Sequence, residues 1–181
     1  AALEMVIGGI GRRAAQLRDF CIQKAEETED ASRKATLLRM ARNCSRVPMN
    51  PAQSFEEAIQ CLYFCFAFLP DSIGRPDQYL YPLYKRGVSD GTLTREHAKE
   101  LIQELFIRIH GHTFHTPWAD DKGAESHFVI GGYTKEHEDG FNELSDLILE
   151  SMMELPLERP QVSLRWTKKT PREVLHKMLD C

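Results

Sequence analysis

The sequence has no block of one charge and no apolar run long enough to cross a membrane. Lysine and arginine number 23 against 27 aspartates and glutamates, and the basic side chains are scattered among acids. A nucleic-acid partner calls for a basic stripe or cluster, so that class of function is set aside. A spanning helix needs roughly 20 consecutive apolar residues, and residues 1–10 lack the basic start and long apolar stretch of a secretory leader. No membrane partner is expected, and a cytoplasmic protein is the simplest reading.

Close cysteine pairs are missing as well. The five cysteines, Cys21, Cys44, Cys61, Cys65 and Cys181, show neither the CxxC spacing of a zinc site nor the density of a secreted disulfide scaffold. Reduced thiols, largely buried in helices, are the expectation. Gly8-Gly9-Ile10-Gly11 has the glycines of a phosphate loop, but no strand precedes it and no Lys-Ser or Lys-Thr follows, so it reads as the entry to a helix. Internal repeats and low-complexity segments are also lacking.

What is present is mostly helical periodicity. Apolar residues recur three and four apart over residues 14–24 and again over 32–44, where Leu37, Met40, Ala41 and Cys44 form one stripe, with a link around residues 28–31. Val47-Pro48-Met49-Asn50-Pro51 cannot continue a helix, because each proline lacks an amide hydrogen and restrains the residue before it. Ser54 then opens a capping box, its hydroxyl accepting from the amide of Glu57 and the Glu57 carboxylate reaching back to the amide of Ser54.

The helix that follows, residues 55–69, becomes apolar all the way round from Cys61 onward. It leaves no face for water and should be buried centrally, yet a chain of 181 residues would struggle to cover it. The isolated chain is therefore expected to be marginally stable. Ala1 opens directly into a helix-like pattern and residues 171–181 end in one without a stop signal, so the chain is expected to be one incomplete domain of a longer polypeptide.

Beyond an irregular stretch at residues 71–76, a short helix is expected over 79–84 and a turn at Ser89-Asp90-Gly91. Thr94 caps a helix running to about His110, with Ala98, Leu101, Ile102, Leu105, Phe106 and Ile109 as its apolar face. Residues 110–123 read as a loop, 126–130 as a short strand ended by Gly131-Gly132, and 140–153 as a helix. Gln161 to Trp166 alternates, with Val162, Leu164 and Trp166 on a buried face. The fold class is α-rich α/β, mostly helices with a few short strands.

Composition and spacing offer one metal candidate: His110, His112 and His115, with Asp120, Asp121, Glu125 and His127 nearby. A loop fixes no convergent geometry for them, so no metal site is assigned. Cys61 and Cys65 share a helix face in apolar surroundings, where a thiol is inert. Arg75 and Asp77 flank Pro76 in a constrained turn, either as a pair bracing the backbone or with the guanidinium facing a substrate.

Several blocks resemble one family in order. Residues 54–60 (Ser-Phe-Glu-Glu-Ala-Ile-Gln), 74–82 (Gly-Arg-Pro-Asp-Gln-Tyr-Leu-Tyr-Pro) and 91–95 (Gly-Thr-Leu-Thr-Arg) are similar to consecutive signatures of the pyruvate formate-lyase-like glycyl radical enzymes. Ile130-Gly131-Gly132, residues 139–145, Gln161 to Trp166 and Lys169-Thr170-Pro171 continue the match. It runs collinearly from about Arg12 to Cys181.

The resemblance implies that the chain is part of a ten-stranded α/β barrel whose helices wrap the strands. It implies a parent that carries a glycyl radical, installed by an activase using iron-sulfur and S-adenosylmethionine, with a cysteine thiyl radical that acts on a small organic substrate, and a parent that is a homodimer. A formate C-acetyltransferase-like enzyme or a related C–C or C–X lyase is expected. The cysteine loop and the radical glycine match nothing in residues 1–181, so no catalytic residue is assigned and the isolated chain is expected to be inactive. By position, Ser72, Arg75 and Phe128 are expected at the substrate wall, and Gly74, Asp77 and Gln78 shape it. Diol-dehydrating relatives carry His-Ser where this sequence has Leu69-Pro70, which argues against that reaction. A non-catalytic helical scaffold pairing with a full-length radical enzyme, or a metal protein built on the His110 to His127 region, are the competing readings.

Overall fold

The computed structural model describes residues 2–68, 72–113 and 126–180. They fall into two compact units, Ala1–Phe68 and Leu69–Cys181.

The first unit holds α1 (Ala2–Glu27), α2 (Ala31–Arg46) and α3 (Phe55–Phe68). Asp30 caps α2, its carboxylate accepting from the amides of Ser32 at 2.8 Å and Arg33 at 3.0 Å. This cap closes the α1–α2 hairpin, which buries Cys21, Ala25, Leu37 and Ala41, and Met40 packs on them. A second cluster joins Ala14 and Cys44 to Phe64 of α3. The glycines at 8, 9 and 11 lie inside α1, as a helix-entry reading requires.

The Ser54 hydroxyl accepts from the amide of Glu57 at 3.1 Å, but the Glu57 carboxylate reaches the amide of Gln53 at 2.7 Å and not that of Ser54. The box is therefore displaced by one residue on its return arm. A larger correction concerns burial. Phe64 and Phe66 of α3 are buried, whereas Cys65 is exposed and Phe68 is 42 % exposed. The stretch lacks a polar face, but only part of it is enclosed: Phe64 and Phe66 are buried on nearly opposite sides of the helix, while the flank that carries Cys65 and Phe68 is open.

The second unit holds α4 (Pro76–Tyr79), α5 (Tyr81–Ser89), α6 (Arg95–Thr113), β1 (His127–Gly131), α7 (Glu143–Glu154), β2 (Gln161–Arg165) and α8 (Arg172–Leu179). Pro76 stands at the first turn of α4, where a missing amide hydrogen costs nothing, so helix begins earlier than the expected residue 79. The Thr94 hydroxyl accepts from the amide of His97 at 3.1 Å and caps α6. All six expected apolar positions of α6 are buried. The helix runs on to Thr113, which places His110 on a helix and not in a loop.

β1 and β2 pair in parallel, with Phe128 opposite Val162 and Ile130 opposite Leu164. The connection between them contains α7, the crossover that parallel neighbours require. Residues 73 and 74 add a short extra lane on the far side of β1, through Ile73 N–H to His127 O at 3.0 Å and Val129 N–H to Gly74 O at 2.7 Å. The expected barrel is not seen: the described sheet has two strands. Trp166 lies just past β2 and is 65 % exposed, so the buried face expected to run through it ends sooner.

Strand pleating divides β1 into two faces. Phe128 and Ile130 are buried with the apolar residues of α6 and α7; the Phe128 ring meets Phe106 edge-on at 5.2 Å. Burying a ring of that size stabilises by roughly 1.5 to 3 kcal/mol. His127 and Val129, pointing the other way, stay half-buried.

Candidate functional site

Asp77 is the hub of the second unit's polar interior. Its side chain is fully buried, and one carboxylate oxygen accepts from the amide of Gly131 at 2.7 Å and from the Ser145 hydroxyl at 2.7 Å. The other oxygen, Oδ1, has no hydrogen-bond partner among the described residues. Burial raises the Asp77 carboxyl above its ordinary range despite these donors and the nearby Arg75. Asn142 caps α7, accepting from Leu144 N–H at 2.9 Å and Ser145 N–H at 3.2 Å, and its own amide donates to the Asp77 carbonyl at 2.9 Å. One short sequence, residues 142–145, thus starts a helix and anchors the buried acid.

Arg75 lies half-buried beside this hub. Its guanidinium donates to the Gly131 carbonyl and, at 3.1 Å, to the Tyr133 carbonyl. The planar fork of arginine suits two carbonyls on one turn. Gln78 donates to the Gly140 carbonyl at 2.7 Å, and Gly140 N–H donates to Gly132 O at 2.6 Å. A Cβ on Gly140 would sit 2.8 Å from Gly132 O and 2.9 Å from Arg75 Nη2, so the approach admits only glycine. Gly131 and Gly132 take φ of +70° and +85°, which turns the chain away from β1 at the point where Asp77 and Arg75 hold it.

Asp139 closes the same turn from the other side. It accepts from the hydroxyls of Thr167 and Thr170, and from the amide of Phe141 at 2.9 Å. Burial pushes its carboxyl up, but these bonds outweigh burial and hold it below the ordinary aspartate range.

Of the residues expected at a substrate wall, Ser72 is exposed; its hydroxyl donates to the His127 carbonyl at 3.3 Å and accepts from Gly74 N–H at 3.3 Å. Phe128 is 1 % exposed, inside the core. The half-buried face of the sheet instead carries His127, Val129 and Ser163, with His127 Nε2 2.6 Å from Ser163 Oγ. Asp77 and Gln78 bond at the Gly131-Gly132 turn, whereas Gly74 lies beside the middle of β1, its carbonyl accepting from Val129 N–H.

The sequence reading misses Asn142, Ser145, Asp139 and the His127–Ser163 pair. Pleat parity is the available signal for the pair: apolar Phe128 and Ile130 send His127 and Val129 to the opposite face. Among the described residues no group of three metal-ligating side chains converges. His115, Asp120, Asp121 and Glu125 of the metal candidate lie outside the described residues, as do Leu69, Pro70 and Cys181.

The family model described as pyruvate formate lyase-like matches residues 1–181. The chain belongs to the pyruvate formate lyase-like family of glycyl radical enzymes. Relatives of this glycyl radical family include the isethionate sulfite-lyase of Bilophila wadsworthia, 34% identical, over 87% of this chain and 21% of the relative. The trans-4-hydroxy-L-proline dehydratase of Clostridioides difficile is 31% identical, over 87% of this chain and 22% of that protein. Among solved structures of the family, the hydroxyproline dehydratase of Clostridioides difficile with trans-4-hydroxy-L-proline bound aligns with a TM-score of 0.83, at 29% identity over 94% of this chain and 23% of that one. A glycyl radical enzyme from Archaeoglobus fulgidus gives 0.82, at 29% identity over 93% of this chain and 23% of its own. The chain thus spans about a fifth of the length of these relatives.

Proposed function

We propose that this chain is one part of the barrel of a glycyl radical carbon–heteroatom lyase, and that its second unit supplies a section of the substrate wall. The single observation that carries this is the match of the whole chain to the family together with relatives named for releasing sulfite from isethionate and water from hydroxyproline. Those names favour C–X bond cleavage over the acetyl transfer of a formate C-acetyltransferase. The substrate is accordingly a small organic molecule bearing a hydroxyl and an anionic group.

The radical chemistry would come from a glycyl radical in the parent, installed by a radical S-adenosylmethionine activase. Nothing in residues 1–181 is assigned a catalytic role. Cys44 and Cys61 are poor candidates for reactive thiols, since burial lifts each to about 11. What these residues do is hold a wall: Arg75 and Asp77 pin the Gly131-Gly132 turn, Phe128 anchors β1 in the core, and Ser72 stands at the exposed end of the lane beside it.

The test is product analysis. The complete polypeptide that carries this chain, activated without oxygen, is offered isethionate and trans-4-hydroxy-L-proline, and sulfite and dehydrated product are measured. Turnover of either supports the reading; acetyl transfer from pyruvate in place of both overturns it. Residues 1–181 expressed alone should turn over neither.

A further inference from the structure

We infer that His127 and Ser163 form a substrate-recognition pair that reads a hydroxyl or oxyanion group on the substrate. The inference rests on the reading of this chain as part of a radical lyase and names the residues that would give it specificity.

The pair is built from two neighbouring strands. Parallel register sets His127 opposite Gln161 and Val129 opposite Ser163, so Ser163 lies diagonally across from His127 on one face of the sheet. The two side chains meet at 2.6 Å. That face is the half-buried one, since Phe128 and Ile130 carry the opposite face into the core.

Its backbone is held from both sides. The His127 carbonyl accepts from Ile73 N–H at 3.0 Å and from the Ser72 hydroxyl at 3.3 Å, and β2 flanks the other edge. The imidazole is therefore presented by rigid strand and not by loop, as a precise contact requires. Asp77 and Arg75 fix the strand's far end at Gly131.

Hydrogen-bond capacity decides what the pair can recognise. A single hydrogen lies between Nε2 and Oγ. If the serine donates it, the serine oxygen keeps lone pairs that accept from a substrate hydroxyl. If the imidazole donates it, the serine hydroxyl remains free to donate to a sulfonate, carboxylate or hydroxyl oxygen. Either arrangement leaves a directed polar contact on Ser163, oriented by His127 and bordered by the apolar Val129. A hydrocarbon would gain nothing from it; isethionate and hydroxyproline each carry both group types.

The experiment uses the complete polypeptide, with isethionate and trans-4-hydroxy-L-proline as probes in equilibrium calorimetry. Wild type should bind at least one. Ser163→Ala and His127→Phe should each weaken that binding about tenfold or more, the scale of one lost polar contact to a charged or hydroxyl group. His127→Gln, which keeps an N–H near the same place, should restore most of it. Melting temperature and glycyl radical yield after activation should be unchanged in all three variants. Equal affinity in Ser163→Ala and wild type, or binding of neither probe by wild type, overturns the pair. Absence of any radical after activation instead overturns the family-level reading beneath it, so the two failures are distinguishable.

Discussion

The fully buried carboxylate of Asp77 takes a hydrogen bond of 2.7 Å from the Ser145 hydroxyl on the same oxygen that already accepts from Gly131 N–H, while Oδ1 has no hydrogen-bond partner among the described residues. A charge so placed is costly, and burial raises the Asp77 pKa from its ordinary value of 3.8. Below that value the group is protonated in folded and unfolded chain alike. As pH climbs past it, the unfolded chain ionises freely and the folded one resists, so the stability contributed by the neutral acid is lost as pH rises through the folded pKa.

Hydrogen exchange at the Gly131 amide measures this directly. After correction for intrinsic rates, its opening free energy should fall as pH rises from about 4 in the wild type, and Asp77→Asn should remove that slope. Asp77→Ala should cost about 1 to 3 kcal/mol of protection, because Gly131 N–H and Ser145 lose their buried acceptor.

Arg75 contributes by a different route. Both of its bonded nitrogens serve backbone carbonyls across a gap of more than fifty residues, at Gly131 and Tyr133. Lysine carries its three N–H donors on a single nitrogen, where the turn needs two nitrogens in a fixed fork. Arg75→Lys should destabilise the second unit by about 1.5 to 3 kcal/mol in denaturant titration, with no change in affinity for isethionate or hydroxyproline. A loss of affinity at constant stability would make Arg75 a substrate contact.

Much of this architecture is legible in the amino-acid pattern alone. The α6 stripe from Ala98 to Ile109 predicts its own buried face, because helical spacing and apolar identity agree at every position. The Asn142 cap is not legible in this way, since its box uses Ser145 at the third helical position in place of the usual Glu or Gln, and the apolar spacing starts the helix a turn early. Phe128 illustrates a different limit. Its place along β1 is readable, and parity with Ile130 sends His127 to the opposite face, but that Ser163 shares that face and meets His127 follows only from the register with β2. Long-range partners such as Asp77 and Ser145, or Asp139 and Thr167, have no local signature.

The uncovered side of α3 makes a prediction about context. Cys65 is exposed in this chain, whereas Cys21 and Cys44 are buried. Alkylation of residues 1–181 at neutral pH, followed by mass spectrometry, should label Cys65 first and leave Cys21 and Cys44 until unfolding. In the complete polypeptide Cys65 should be protected, because an apolar helix surface of this kind is covered when the rest of a barrel is present.

Other apolar side chains point the same way. Leu3 at 72 %, Met5 at 73 % and Leu179 at 84 % exposure are costly in an isolated molecule. Residues 1–181 alone should bind a hydrophobic dye and melt over a broad range; a sharp, dye-free, monomeric melt would show that the chain is self-sufficient.

The central claim is that these residues belong to a working glycyl radical enzyme. Electron paramagnetic resonance of the complete polypeptide, after anaerobic incubation with a radical S-adenosylmethionine activase, tests it most directly. The expected result is a carbon-centred doublet that changes when the radical glycine is deuterated; a silent spectrum from a folded, fully reconstituted mixture would contradict it.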